Sequence, residues 1–301
     1  MPSFTLFRPP SLIGALYGAA FAAGLLFLGG LLLYKGLTMA VDTDQLAPLL
    51  LGGVLLLLGC LFAYWAWGCS SLSYMVDRNA LSIRWGSMRQ VIPLSAIERL
   101  IPASDDQEPP HIEGVSWPGH HVGRGEVEGL GDVLFYSAHR LASEVLYVQT
   151  PTEVYGISVP DPVFFAQTVQ SNQARGPLFE QRQAVHRWGI AAQSFWMDPQ
   201  ARMLAVLLVA SFVAVLVYVL QTYPDLSQSV ALRFPSLGGI VRVSDKSELL
   251  DIPRSAAGFM ALNLVLAVLL HSWERMVGYV LLLSGIAIQV MLLVAAAVAV
   301  A

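Results

Sequence analysis

Residues 45–85 read QLAPLLLGGVLLLLGCLFAYWAWGCSSLSYMVDRNALSIRW, and the change of pattern inside them sets the architecture of the whole chain. From Gln45 to Val76 no residue is charged. A helix rises about 1.5 Å per residue and the hydrocarbon core of a bilayer is about 30 Å thick, so about 20 apolar residues cross it. Past Cys69 the pattern turns to alternation. Leu72, Tyr74 and Val76, then Leu81, Ile83 and Trp85, each fall on one face of a short strand, and Asp77-Arg78-Asn79 separates the two. The stretch therefore predicts a membrane helix that feeds straight into an antiparallel meander.

Outward from it lie four more uncharged gaps, at residues 9–34, 203–224, 255–273 and 276–301. In lipid an unpaired backbone amide costs several kcal/mol, so each gap must be helical. Composition agrees: 55% of residues are apolar and only 13% charged, with a mean hydropathy of +0.61, whereas soluble domains carry about 25% charged residues. The first gap follows Arg8, as in a signal peptide, but its 26 uncharged residues exceed the usual apolar core of about 7 to 15. A retained signal-anchor helix is expected.

The predicted fold class is an α+β membrane protein: five transmembrane helices plus an antiparallel β-barrel or sandwich closed by a C-terminal helix. Two helices fill residues 1–69, a water-soluble domain 70–175, an amphipathic interfacial helix 176–200, and three helices 201–301, with a loop at 222–254. Twelve Lys and Arg fall on the side of the soluble domain and five on the other. This bias predicts a bacterial plasma-membrane protein with N-terminus and domain cytoplasmic and C-terminus extracytoplasmic.

Residues 70–200 hold nine Arg, no Lys and fourteen Asp or Glu, a net −5. Nucleic-acid binding and polybasic attachment to anionic lipid both call for the opposite sign. A protein or membrane subunit is the expected partner beside bulk membrane lipid, with no nucleic acid. Cys60 and Cys69, nine residues apart, fall on opposite helix faces and cannot bridge, so both are expected as buried small residues.

Within the soluble segment, runs at Leu72–Val76, Leu81–Trp85, Met88–Ile92, Asp132–Tyr136, Val145–Thr150 and Glu153–Val159 predict six or seven strands. Residues 104–131 are rich in Gly, Pro and acid and predict a long loop or irregular hairpin. Asp161-Pro162 opens a helix, with the carboxylate capping free amides and Pro at the first helical position. Phe164, Phe165 and Val169 are expected to face the sheet. The run Tyr74-Met75-Val76-Asp77, Leu81-Ser82-Ile83 and Gly86, followed by Ile92-Pro93-Leu94 and Ile97, resembles the pleckstrin-homology-like domains of bacterial membrane proteins. So do Val148-Gln149-Thr150, Tyr155-Gly156-Ile157-Ser158, Asp161-Pro162 and Phe164-Phe165. The glycines at 119, 123, 125, 129 and 131 look like the middle of one such subfamily. The resemblance covers residues 70–173 and implies an architecture without a ligand.

The C-terminal part resembles a second module, a small bacterial membrane region of unknown function. Tyr223-Pro224, Leu232-Arg233-Phe234-Pro235, Gly238, Lys246 and Ile252-Pro253 carry that likeness, with Arg233-Phe234-Pro235 where such regions often have His-Phe-Asn.

Between the modules, Leu178, Val185, Trp188, Ala192, Phe195 and Trp196 share one face at helical spacing. Trp188 and Trp196 are the expected interfacial anchors.

Chemistry is sparse. His111, His120 and His121 lie near Glu113, Glu126 and Glu128, yet their spacing matches no metal motif. The glycines of 123–131 lack the strand–helix setting of a dinucleotide fingerprint. Ser137 with His139, or His186, makes a triad only on paper. No catalytic residue, cofactor or metal is expected. Among the membrane polar groups Asn263, His271 and Gln289, the first and last are expected to pair across two helices, at about 0.6 to 2 kcal/mol. The expected role is a non-enzymatic scaffold, sensor or accessory subunit. Alternatives are a transporter component and a membrane enzyme using a pocket of His111, His120, Glu126 and Asp132.

Overall fold

The computed structural model describes residues 4–104, 110–233 and 241–300. It divides into two compact units, residues 1–27 with 55–189 and residues 28–54 with 190–301. Five helices are long and apolar enough to cross a membrane by length and composition. They are α1 (Leu12–Thr38), α2 (Leu46–Ser70), α4 (Pro199–Thr222), α5 (Asp251–Leu270) and α6 (Arg275–Val300).

The first unit holds the middle domain. A five-stranded sheet takes β1 (Thr5–Phe7), β2 (Ser73–Val76), β3 (Ala80–Trp85), β4 (Met88–Pro93) and β11 (Ala184–Arg187), in that order. A six-stranded sheet runs in the order β5 (Arg99–Pro102), β9 (Leu146–Gln149), β10 (Val154–Ile157), β8 (Gly131–Ser137), β7 (His120–Val127) and β6 (Ile112–Trp117). All pairings are antiparallel except β10 with β8. The core lies between the sheets, where Tyr74, Ile83, Ile92, Val148 and Tyr155 meet Phe165 and Val169 of α3 (Pro162–Ala174). The Tyr74 hydroxyl donates to the Tyr136 carbonyl at 2.7 Å and accepts from Ser158 N–H at 3.2 Å, tying one sheet to the other. Asp161 caps α3 through Phe164 N–H at 2.9 Å, with Pro162 next, as the sequence predicts.

Several expectations change. Among the described residues no ladder joins the two sheets, so the domain is a sandwich and not a closed barrel. Residues 70–175 contain nine strands where six or seven are predicted, because 104–131 contributes the long β6–β7 hairpin. Residues 176–200 do not form an amphipathic helix. They supply β11 and two 3-10 turns, at Gly189–Ala192 and Ser194–Met197. The free backbone edge of β4 is the cause: Ala184 to Arg187 satisfies it in register with Met88 to Val91, and unpaired strand edges compete strongly for such partners. Gly189, at φ +66°, then breaks the run. Phe164 is half exposed while Phe165 and Val169 are buried. Cys69 is buried but Cys60 is exposed on the outer face of α2. The N-terminal strand β1 lies outside the sequence-read domain altogether.

In the second unit, α4, α5 and α6 pack around Leu208, Ala267 and Leu282. Ser229–Arg233 and Val241–Asp245 form the hairpin β12–β13. Of the second motif, Phe234, Pro235 and Gly238 lie outside the described residues. Two others meet: Lys246 stands over the Tyr223 ring at 4.8 Å, a cation–π contact.

Candidate functional site

The tip of the β6–β7 hairpin is seated on α1. Gly119 sits at φ +79°, and a Cβ built on Gly14 would fall 2.1 Å from the Gly119 carbonyl oxygen. Only glycine at both positions permits that approach. Beside it, Trp117 Nε1–H donates to the Gly14 carbonyl at 2.9 Å, and the Trp117 ring stacks on Phe62 of α2 at 6.0 Å. Directly across from it in the hairpin, His120 is fully buried, 4.7 Å from the Trp117 ring and 6.1 Å from that of Trp85. Neither ring nitrogen of His120 has a hydrogen-bond partner among the described residues. Burial therefore pushes it down to about 4, with His121 adding a little.

The other flagged groups separate. His121 hydrogen-bonds Ser116 Oγ through Nδ1 at 2.9 Å, donates from Nε2 to the His139 carbonyl at 3.2 Å, and stacks on the His139 ring at 4.0 Å. Burial lowers His139 to about 4. Ser137 Oγ does lie 2.8 Å from His139 Nδ1, but both side chains are buried and no carboxylate among the described residues orients the imidazole. His111, Glu126 and Asp132 line one shallow pocket with Glu113 and Arg124, where Arg124 is ion-paired to Asp132 and Glu153. His120, buried among tryptophans, is not part of it.

Within the helical bundle Asn263 and Gln289 do not bond to each other. Gln289 Nε2 donates to the Ala256 carbonyl at 2.7 Å, whereas Asn263 accepts from Ser284 Oγ at 3.3 Å and donates to the Phe259 carbonyl at 2.9 Å. The antiparallel register opposes 289 to 256 and 284 to 263, so the two amides sit between one and two helical turns apart. Each still links α5 to α6.

Sequence reasoning missed the cluster gathered at Asp198-Pro199, a pair it reads only as the cap and start of a helix. Asp198 caps α4, its Oδ1 accepting from Gln200 N–H at 2.9 Å and Ala201 N–H at 3.3 Å. Its Oδ2 accepts from Tyr279 Oη at 2.6 Å and stands 3.2 Å from His271 Nε2. The Tyr279 hydroxyl, then the burial-opposing amides, hold the Asp198 carboxyl below its usual range. Gly278 is required here, since a Cβ on it would fall 2.4 Å from His271 Nδ1. Only the Asp-Pro cap was visible in sequence; Tyr279 carried no signal. Asp198→Ala should lower the thermal midpoint in detergent more than Tyr279→Phe does, because it removes the cap as well as the phenol's acceptor. Equal midpoints for the two variants would remove the cap from this account. The carboxyl is depressed in the folded state, so its contribution is present above the ordinary carboxyl range and fades as pH falls through it.

Trp188 and Trp196 are both partly exposed, at 39% and 45%, one at the end of β11 and the other in the turn before α4. Neither lies on a helix face.

Residues 72–173 match the family model of the bacterial PH domain. No curated protein and no solved structure matches the chain.

Proposed function

We propose that a bacterial PH domain set among candidate membrane spans serves here as a membrane-held binding platform, a non-enzymatic scaffold, sensor or accessory subunit. One observation carries the reading. The β6–β7 hairpin is locked to the first membrane helix by the Gly14–Gly119 contact and the Trp117 bond, so the domain and that helix behave as one piece. Whatever docks on the sandwich then acts on a body already fixed to the helix pair α1 and α2, without a flexible tether. The Lys and Arg bias supports a cytoplasmic face for the domain. Cysteine labelling from outside intact cells should reach position 228 and spare position 140.

Gly14→Leu tests the platform. The added side chain enters the Gly119 carbonyl, so hydrogen exchange across residues 112–127 should accelerate at least tenfold while Gly24→Leu, on the same helix with open space around it, leaves exchange unchanged. Unaltered protection in Gly14→Leu would end the platform reading.

A further inference from the structure

The outer face of the five-stranded sheet carries a row of like charge. Register places Ser73 opposite Arg84, Arg84 opposite Arg89, and Arg89 opposite His186. Arg8 directly follows β1 at the same level, since Phe7 pairs with Tyr74. Two arginines directly opposite each other weaken a sheet. Among the described residues Arg8, Arg84 and Arg89 have no ion pair; Arg89 donates to Ser82 Oγ at 3.0 Å and Arg84 lies 5.8 Å over the Trp188 ring. The three arginines line an open pocket of about 530 Å³, with Trp188 at one end, Phe4 and Leu6 at the other, and no acidic side chain. Two of the three arginines come from a segment whose net charge is −5.

The patch lies where the membrane helices leave the domain. Arg8 precedes the start of α1 by four residues. At the opposite end Trp188 N–H donates to the Ser87 carbonyl at 3.0 Å, and Ser87 Oγ is 2.9 Å from the Tyr64 hydroxyl of α2. The same last turns of α2 carry Trp65 and Trp67, the residue type that settles at headgroup depth. Phe4 and Leu6, 58% and 44% exposed, form an apolar lip beside the arginines.

We propose that Arg8, Arg84 and Arg89 bind the phosphate of an anionic phospholipid headgroup, with Phe4 and Leu6 against its acyl chains. Guanidinium forks match phosphate oxygens in pairs, and a phosphate between Arg84 and Arg89 relieves their repulsion. A free anion satisfies the charges but has no use for the apolar lip. The inference rests on the platform reading, which supplies the fixed height of the pocket above the helices.

The test uses the full chain in maltoside micelles doped with phosphatidylglycerol or phosphatidylcholine, read by native mass spectrometry and thermal midpoint. Wild type should retain phosphatidylglycerol over phosphatidylcholine, and the midpoint should rise with the former. Each arginine near a charged surface is worth about fivefold, so Arg84→Gln with Arg89→Gln should weaken phosphatidylglycerol binding about 25-fold and abolish the rise. In phosphatidylcholine alone that double variant should be at least as stable as wild type, which separates lost binding from lost folding. Equal retention of the two lipids by wild type, undiminished retention by the double variant, or an equal midpoint rise with inorganic phosphate overturns the proposal. Hydrogen exchange of residues 112–127 in the same samples keeps the two readings apart. Protection there with no lipid preference sinks the lipid site alone, whereas free exchange sinks the platform and leaves the lipid preference to decide the site.

Discussion

Lowering the pH from 7 to 4 should substantially destabilise the middle domain, with His120 and His139 among the groups responsible. Both are held near 4 by burial, against an ordinary value of 6.5. The folded state keeps them neutral while the unfolded chain protonates them as the pH drops below about 6.5. Stability is therefore full above that value, declines between about 6.5 and 4, and stops declining once both states are protonated. A gap of this size is worth about 3 kcal/mol per group, and two such groups approach the whole stability of a typical domain, about 5 to 15 kcal/mol. His120→Phe keeps a flat ring between Trp117 and Trp85 and removes two buried nitrogens without partners. It should raise stability at pH 7 and take away about half of the acid loss. Urea unfolding followed by tryptophan fluorescence at pH 7 and 4.5 measures both effects. A variant whose decline runs parallel to that of wild type would show that His120 does not titrate as its burial requires.

Phe7→Ala should cost about 3 to 4 kcal/mol, although Phe7 lies 65 residues upstream of the segment that matches the bacterial PH domain. Its ring is 6% exposed and packs edge-on against Phe165 at 5.1 Å and tilted against Phe164 at 5.7 Å. Truncating a buried phenylalanine loses its transfer energy and leaves a cavity, here beneath α3. The neighbouring Phe4, 58% exposed, makes the control: Phe4→Ala should change stability by less than about 0.5 kcal/mol in the absence of anionic lipid. A domain excised at residues 70–175 should show at least the deficit of Phe7→Ala, since it lacks β1 and, with it, β11 and the α1 contact of Trp117. If the excised domain matched the full chain in urea midpoint, β1 would be ornamental and Phe7 would not belong to the core.

These two results bear on what kind of information the chain carries locally. Period and charge are local properties, so the five apolar gaps, the alternation from Leu72 to Trp85 and the Asp161-Pro162 helix start were all legible in the order of residues. So was the acidic balance of residues 70–200, but a sum of charges says nothing about where they stand, and the arginine row assembled from positions 8, 84 and 89 appears only when three strands are aligned.

The failed expectation over 176–200 has the same root. Apolar spacing there suited a helix, and the deciding term was the open edge of β4, a backbone demand that side-chain periodicity does not encode. Asn263 and Gln289 were expected to pair with each other, yet their partners depended on a register that offsets them by between one and two helical turns. Likewise nothing links Gly14 to Gly119 in a chain with 25 glycines until the hairpin tip and the helix meet. By itself the sequence determined which segments are long and apolar enough to cross a membrane and which alternate as strands, because solvent preference and backbone period act over a few residues. Tertiary structure alone decided which strand takes a free edge, which histidine loses its water and which charges become neighbours, because those outcomes depend on contacts between residues far apart in the chain.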